Sequence, residues 1–342
     1  MACWLLSVAF ALFATTAHRT LASGGNFGGA LRSDITVRVG NLTRHALLHV
    51  PASVKQSSKP APLVLNWHGM METPQEQQGL SDFDRVSDAG AFILAYPQGG
   101  AKATVLGHSL PGFTHNGGGC CSSADSDKTR IDDVAFARAL VDAVDLVVPV
   151  DRSRVYSTGF SNGGFMSYRL GCQASDVFAA VAVVSAVLAN HPNLAMGSTQ
   201  KFDCQPPRTV PLLHIHGTKD ELVTYTGNPL FGWPAAEASA KAWAARNGCH
   251  QGNRHTTFEN HSATSNSSVR CVEWCGGEMT NVTICTIQGG THAWPAGRCG
   301  GKLGACTLAI PGYATLHLAG EPIMHASDEI WRFFKGKRLP TS

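Results

Sequence analysis

Short apolar runs ending in glycine or a polar turn recur along this chain, and stretches with apolar residues three and four positions apart lie between them. The runs at 63–66, 92–96, 155–159, 179–184, 212–216 and 282–288 predict central parallel strands, because a strand covered on both faces needs no polar alternation. Helical spacing covers 73–89, 132–147, 163–170 and 235–246, each able to turn an apolar stripe toward a sheet. Residues 34–39 alternate polar with apolar, and 44–50 follow after Gly40-Asn41, which predicts an antiparallel hairpin at the sheet edge. The polar stretch 251–268 has no periodic pattern and reads as an exposed loop, while 299–323 is irregular and is placed near the rim of the site. The order of elements predicts an α/β fold: a mostly parallel central sheet with helices on both faces.

Three of these strands end in residues that carry chemistry. After the run at 155–159 the chain reads Gly159-Phe160-Ser161-Asn162-Gly163-Gly164, a serine between small residues where a strand turns sharply into a helix. A serine raised above a sheet edge sits in a strained backbone, and bulky neighbours two positions away would collide with the turn. The strand at 212–216 delivers His216-Gly217-Thr218-Lys219-Asp220, and the strand at 282–288 delivers Gly289-Gly290-Thr291-His292. Asp220 follows Ser161 by 59 residues and precedes His292 by 72, room for a strand and a helix each time. Nucleophile, acid and base would then meet at one edge of the sheet, where ligands bind in open α/β folds.

A hydroxyl at neutral pH needs a base to become a nucleophile, so His292 is the candidate base and Asp220 the acid that fixes its tautomer. The oxyanion of a tetrahedral intermediate needs N–H groups already in place. Asn162 follows the serine and opens a helix, and Met70 lies in the loop Asn66-Trp67-His68-Gly69-Met70-Met71; their backbone N–H groups are the two candidates. His216 competes with His292 for the role of base, but a base following the acid favours His292 and leaves His216 to orient the acid's loop. Asp132-Asp133 precede a helix and suit capping. Phe160, Trp294 and Trp67 flank these groups and are candidates for stacking on an aromatic acyl group, or for core packing.

These phrases, with Ala95-Tyr96-Pro97-Gln98-Gly99, Gly118-Gly119-Cys120-Cys121, Ile131-Asp132-Asp133-Val134 and Val150-Asp151-Arg152-Ser153-Arg154-Val155-Tyr156, resemble the polyhydroxybutyrate depolymerase-like esterases, a group that also holds secreted feruloyl esterases. The matching motifs run in family order from Leu63 to Pro295, and 327–334 is similar to the family's last helix. The resemblance implies an α/β-hydrolase fold without a cofactor, acting on carboxylic esters of plant cell-wall phenolics or of short hydroxyacid polymers. It places Ser161, Asp220 and His292 in the triad. No separate polymer-binding module follows the core, which favours a phenolic or cell-wall ester.

Composition narrows the setting. With 342 residues, 44% hydrophobic and 15% charged, the chain can bury one large core. A net charge of +3 argues against nucleic acid or an anionic membrane as partner. Residues 1–22 hold an apolar run too short to span a bilayer and end in small residues, so they read as a signal peptide, although the first residues carry no Lys or Arg. Residues 23–342 are then a single catalytic domain in an extracellular setting. Of the 11 cysteines, Cys3 falls in this leader and an even set remains: Cys120, Cys121, Cys172, Cys204, Cys249, Cys271, Cys275, Cys285, Cys299 and Cys306, all disulfide candidates. Ring strain argues against a bond between adjacent Cys120 and Cys121, which are expected to staple the glycine-rich loop to two other places. Cys249, Cys271, Cys275 and Cys285 are expected to form two local bridges that steady His292. No metal-ligand spacing occurs. Asn41, Asn260, Asn266 and Asn281 head N-glycosylation triplets, with Asn281 at the start of a strand.

Overall fold

The computed structural model describes residues 26–27, 30–105, 108–121, 131–196, 198, 201–249, 255–261, 267–299, 302–303, 307–309, 315–317, 319–320 and 323–340. The leader at 1–22, Asn266 and Cys306 lie outside them. In chain order the main elements are β1 (Asn26–Phe27), β2 (Ala30–Val39), β3 (Leu42–Val50), α1 (Ala52–Lys55), β4 (Ala61–Trp67), α2 (Pro74–Ser81), α3 (Phe83–Gly90) and β5 (Ile93–Pro97). A hairpin of β6 (Ala101–Val105) and β7 (His108–Thr114) follows. Then come α4 (Asp133–Asp145), β8 (Val150–Phe160), α5 (Asn162–Gln173), β9 (Ala180–Val184), β10 (Leu212–Gly217), α6 (Ala236–Arg246), β11 (His255–His261), β12 (Ser268–Trp274), β13 (Val282–Gln288) and α7 (Ala326–Phe334).

One sheet joins eleven of these strands in the order β1-β2-β3-β5-β4-β8-β9-β10-β13-β12-β11. From β5 to β13 every neighbouring pair is parallel, and these six strands are the six apolar runs of the sequence. The edges are antiparallel on both sides. Strand alternation divides the core: Leu63, Leu65 and Trp67 of β4 pack with Phe136 of α4, Phe165 of α5 and Trp243 of α6, while Val64 faces Phe83 of α3 and Ile330 and Phe334 of α7. On the second face Phe92 stacks on Trp331 at 3.9 Å between ring centroids, and Tyr156 on Phe334 at 4.7 Å.

Local chemistry explains the boundaries. Thr73 and Glu76 cap α2 reciprocally: Glu76 N donates to Thr73 Oγ1 at 3.2 Å and Thr73 N to Glu76 Oε2 at 2.8 Å. Asp132 accepts from Ala135 N at 2.9 Å and caps α4, as expected. The single helix expected over 73–89 is instead two, because Asp82 takes a left-handed conformation with φ 48°, which aspartate tolerates better than most residues.

The segment expected as a loop at 251–268 contains β11, an edge strand paired to β12. Both of its faces meet solvent, so no apolar alternation marked it in the sequence. Within 299–323, Ala319–Gly320 pairs in parallel with Trp294–Pro295, which returns that segment to the loop carrying His292.

Four disulfides cross the described residues. Cys249–Cys275 and Cys271–Cys285 are the two local bridges expected, and Cys172–Cys204 ties the end of α5 to the segment before β10. Cys120 and Cys121 bond to each other, which corrects the expectation of two separate staples. Cys121 adopts φ 78°, so the bonded pair sits in a left-handed turn. Cys299 lies in a two-residue strand, and Cys306 falls outside the described residues.

Candidate active site

Ser161 stands at the end of β8 with φ 51° and ψ −115°, a backbone that L-residues rarely adopt and that costs on the order of 1–3 kcal/mol. The fold around it leaves no space for larger neighbours. A Cβ on Gly159 would lie 2.6 Å from the carbonyl carbon of Gly163, and one on Gly163 would run into the carbonyl of Trp67. Parallel pairing of Trp67 with Gly159 causes this, since it draws the loop after β4 against the start of α5. Sterics and sequence therefore agree at both glycines.

Asp220 and His292 reach the same sheet edge from β10 and β13, which pair in parallel. Their loops are laced together: Thr218 N donates to Ile287 O at 2.9 Å, Lys219 N to Gly290 O at 2.8 Å and Gly289 N to Thr218 Oγ1 at 2.9 Å. His292 Nδ1 lies 2.8 Å from Asp220 Oδ2, with both residues buried. Oδ1 of Asp220 accepts from Leu222 N and Val223 N at 3.0 and 2.8 Å. Burial alone would raise this carboxyl, but the charge of His292 and hydrogen bonds from His216 and His292 hold it far below the usual carboxylate range. An ionised Asp220 can only accept, so His292 Nδ1 carries a proton, and in the neutral imidazole Nε2 is the acceptor. No hydrogen bond joins Nε2 to Ser161 Oγ in the structure; such contacts commonly tighten only with substrate in place. The Phe160 ring lies 4.9 Å from that of His292.

Behind Asp220 runs a buried chain of polar groups. His216 Nε2 lies 2.7 Å from Val223 O, which can only accept, so Nε2 carries the proton. In a neutral His216 ring Nδ1 accepts from His214 Nε2 at 3.0 Å, and His214 Nδ1 then accepts from the hydroxyl of Tyr168 at 2.9 Å. Burial, with His216 adding, holds His214 well below the usual imidazole value. His216 Nε2 also approaches Asp220 Oδ2 at 3.3 Å, which matches its expected part in orienting the acid's loop. A small, mainly apolar cavity lined by Ser185, Ile215, His216, Ile287, Thr291 and Ala293 lies behind the histidine loop.

The backbone N–H groups of Met70 and Asn162 have no hydrogen-bond partner among the described residues. Asn162 is fully buried, and its side chain binds the end of β7: Oδ1 accepts from Thr114 Oγ1 and His115 N at 2.9 and 2.7 Å, and Nδ2 donates to His115 O at 2.9 Å. The hairpin β6–β7 is thereby fastened to the start of α5.

The proposed stacking residues are not open to a ligand. Trp67, Phe160 and Trp294 are at most 1% exposed. Trp67 Nε1 donates to Ser157 Oγ at 3.0 Å and Trp294 Nε1 to Ser327 Oγ at 3.2 Å. They are core residues, as the packing alternative had it, and do not stack on a ligand: Trp67 lies in the apolar layer on one face of the sheet, and Phe160 and Trp294 in the layer on the other. Phe113, 44% exposed, lies beside the loop after β4, where its carbonyl accepts from Met71 N; the sequence reading did not single it out. Arg44 and Asp133 form a buried ion pair at 2.6 Å beneath the same loop, so Asp133 does more than cap a helix.

The profile of the phospholipase/carboxylesterase family matches residues 122–258. Feruloyl esterase B of Piromyces equi is 32% identical over 249 residues, 71% of this chain and 41% of the relative. The chain has an α/β-hydrolase fold and is similar to the feruloyl esterases. It spans about two fifths of the length of the Piromyces protein. A bifunctional acetylxylan esterase/xylanase of Neocallimastix patriciarum is 28% identical over 178 residues, 52% of this chain and 22% of the relative. Among solved structures, an acetyl xylan esterase from Aspergillus awamori superposes with a TM-score of 0.49 at 17% identity, covering 73% of this α/β-hydrolase and 89% of that chain.

Proposed function

We propose that this protein is a secreted serine esterase that cleaves carboxylic esters through an acyl-enzyme, with feruloyl esters of plant cell walls as its substrates. The observation that carries the reading is the buried 2.8 Å contact of His292 Nδ1 with Asp220 Oδ2, at the same sheet edge as a serine in the strained backbone of an elbow. Ser161 Oγ attacks the acyl carbon and gives its proton to His292 Nε2. The imidazolium formed is stabilised by Asp220 and returns the proton to the departing alcohol. The N–H groups of Met70 and Asn162 receive the negative oxygen. Water, activated by the same histidine, then releases the acid.

The feruloyl assignment draws on the Piromyces relative. A second reading, an acetylxylan-type esterase, is favoured by the Neocallimastix relative. Four disulfides support an oxidising, extracellular setting, with 1–22 as the signal and 23–342 as the catalytic domain. Among the described residues no helix is long and apolar enough to cross a membrane. Asn41, exposed in the hairpin turn, suits a glycan. Asn281 does not, because it is 7% exposed and its Nδ2 donates to Glu273 Oε2 at 3.0 Å. Asn260 is exposed, and its Nδ2 donates to Ile323 O at 3.0 Å, a bond a sugar would displace.

The test is labelling with a fluorophosphonate probe, followed by parallel assays on methyl ferulate, acetylated xylan and hydroxybutyrate oligomers. Labelling at Ser161 with fastest turnover of methyl ferulate supports the reading. A protein inert to the probe would be a binding protein on the same fold.

A further inference from the structure

The loop after β4 is closed by an acidic side chain that has no part in the triad. Glu72 N donates to Gly69 O at 3.3 Å, so residues 69–72 form a β-turn with Met70 and Met71 at its two central positions. Met71 has φ 71°, a left-handed conformation that costs a non-glycine residue free energy unless neighbours enforce it. Two contacts do so. Met71 N donates to Phe113 O at 2.8 Å, and Gly69 N donates to Glu72 Oε2 at 2.7 Å. Glu72 is itself only 5% exposed, an unfavourable place for a carboxyl unless the contact it makes is needed. The turn is thus locked from the β6–β7 hairpin by Phe113 and from within by Glu72. The N–H of Met70, between these two clamps, is left without a partner among the described residues. An unpartnered donor at the corner of a rigid turn meets the requirement for preorganised oxyanion binding.

We propose that Glu72 is a positioning residue: by holding the Gly69 peptide it aims the N–H of Met70 at the oxygen that becomes negative during ester cleavage. The proposal rests on the esterase reading above. Glu72 acts through the peptide of Gly69 and touches neither the triad nor the substrate.

The test compares Glu72→Ala with Glu72→Gln, whose amide oxygen can still accept from Gly69 N–H. On methyl ferulate the alanine variant is expected to lose about 10- to 100-fold in kcat with KM nearly unchanged. Its affinity for an aryl boronic acid, which forms a tetrahedral adduct with Ser161, should fall in parallel with kcat/KM. Glu72→Gln should restore most of both. A folded Glu72→Ala enzyme with wild-type kcat and boronate affinity would overturn the proposal. So would a loss of activity that follows only the fraction of protein unfolded in a thermal melt. Fluorophosphonate labelling of the wild type is run alongside: no labelling at Ser161 removes the esterase reading and this proposal together, whereas labelling with an unaffected alanine variant removes this proposal alone.

Discussion

His292 and Asp220 meet through a 2.8 Å contact in which both partners are almost completely buried, while their parent strands β10 and β13 lie side by side in parallel register. The contact is therefore set by sheet pairing and not by flexible loops, since Thr218, Lys219 and Gly289 tie the two loops together just before it. Asp220→Asn keeps the shape but presents a neutral amide to Nδ1. We expect kcat on methyl ferulate to fall about 10⁴-fold, with the circular-dichroism spectrum unchanged. A loss of less than tenfold would show that another group orients the histidine.

Ser161→Ala should abolish hydrolysis and leave the melting temperature nearly unchanged, because the backbone strain persists with any β-carbon. Ser161→Gly should also be inactive, yet more stable by about 1–2 kcal/mol in urea titrations, because glycine accepts φ 51° and ψ −115° without penalty. Equal stability of the two variants would mean that the elbow stores no strain.

Two buried groups on either side of Gly69 should tilt the pH dependence of stability in opposite directions. Burial, with Arg44 adding and the bond to Gly69 O and Asp133 opposing, pushes His68 down to about 4. Burial, with Glu76 adding and the Gly69 bond opposing, pushes Glu72 up to about 7. The folded value of His68 lies below its unfolded 6.5, so its contribution is complete above pH 6.5 and lost as pH falls through 4. The folded value of Glu72 lies above its unfolded 4.5, so its contribution is complete below pH 4.5 and lost as pH rises through 7. Each shift corresponds to about 3 kcal/mol. Relative to wild type, Glu72→Gln should gain about 2–3 kcal/mol between pH 5 and pH 8, and His68→Asn should lose stability over the same rise. Urea denaturation at the two pH values checks this, and curves parallel to wild type would refute it.

Cys271 and Cys285 face each other across β12 and β13 and close a loop with a sequence separation of 14 residues. Replacing both with serine should lower stability by about 2–4 kcal/mol and hasten heat inactivation, because β13 carries His292. Turnover at low temperature should remain close to wild type, since backbone pairing on both sides of β13 still sets its register. Guanidinium midpoints and thermal half-lives are the measurements.

Much of the architecture could be read from the chain because the signal was local. Six apolar runs without polar alternation matched six parallel strands, since double coverage leaves a one-dimensional mark. Small residues flanking Ser161 announced the elbow for the same reason: the steric conflict at Gly159 and Gly163 lies within a few residues of the turn. Strand β11 was missed because an exposed edge strand is specified by its partner's backbone, which composition does not record. The break at Asp82 was missed because helical spacing runs through it on both sides.

What the sequence determined by itself was which residues stand at strand ends: Ser161, Asp220 and His292, and the glycines that let the chain turn there. Only the tertiary structure decided what surrounds them. It buried Trp67, Phe160 and Trp294 under the site, joined Cys120 to Cys121, linked Tyr168 through His214 to His216 and placed Glu72 beneath the peptide of Gly69. Burial depends on which helices cover each face of the sheet, which contacts between distant segments decide, and the local pairs at Cys120–Cys121 and Gly69–Glu72 depend on backbone turns that such packing holds in place.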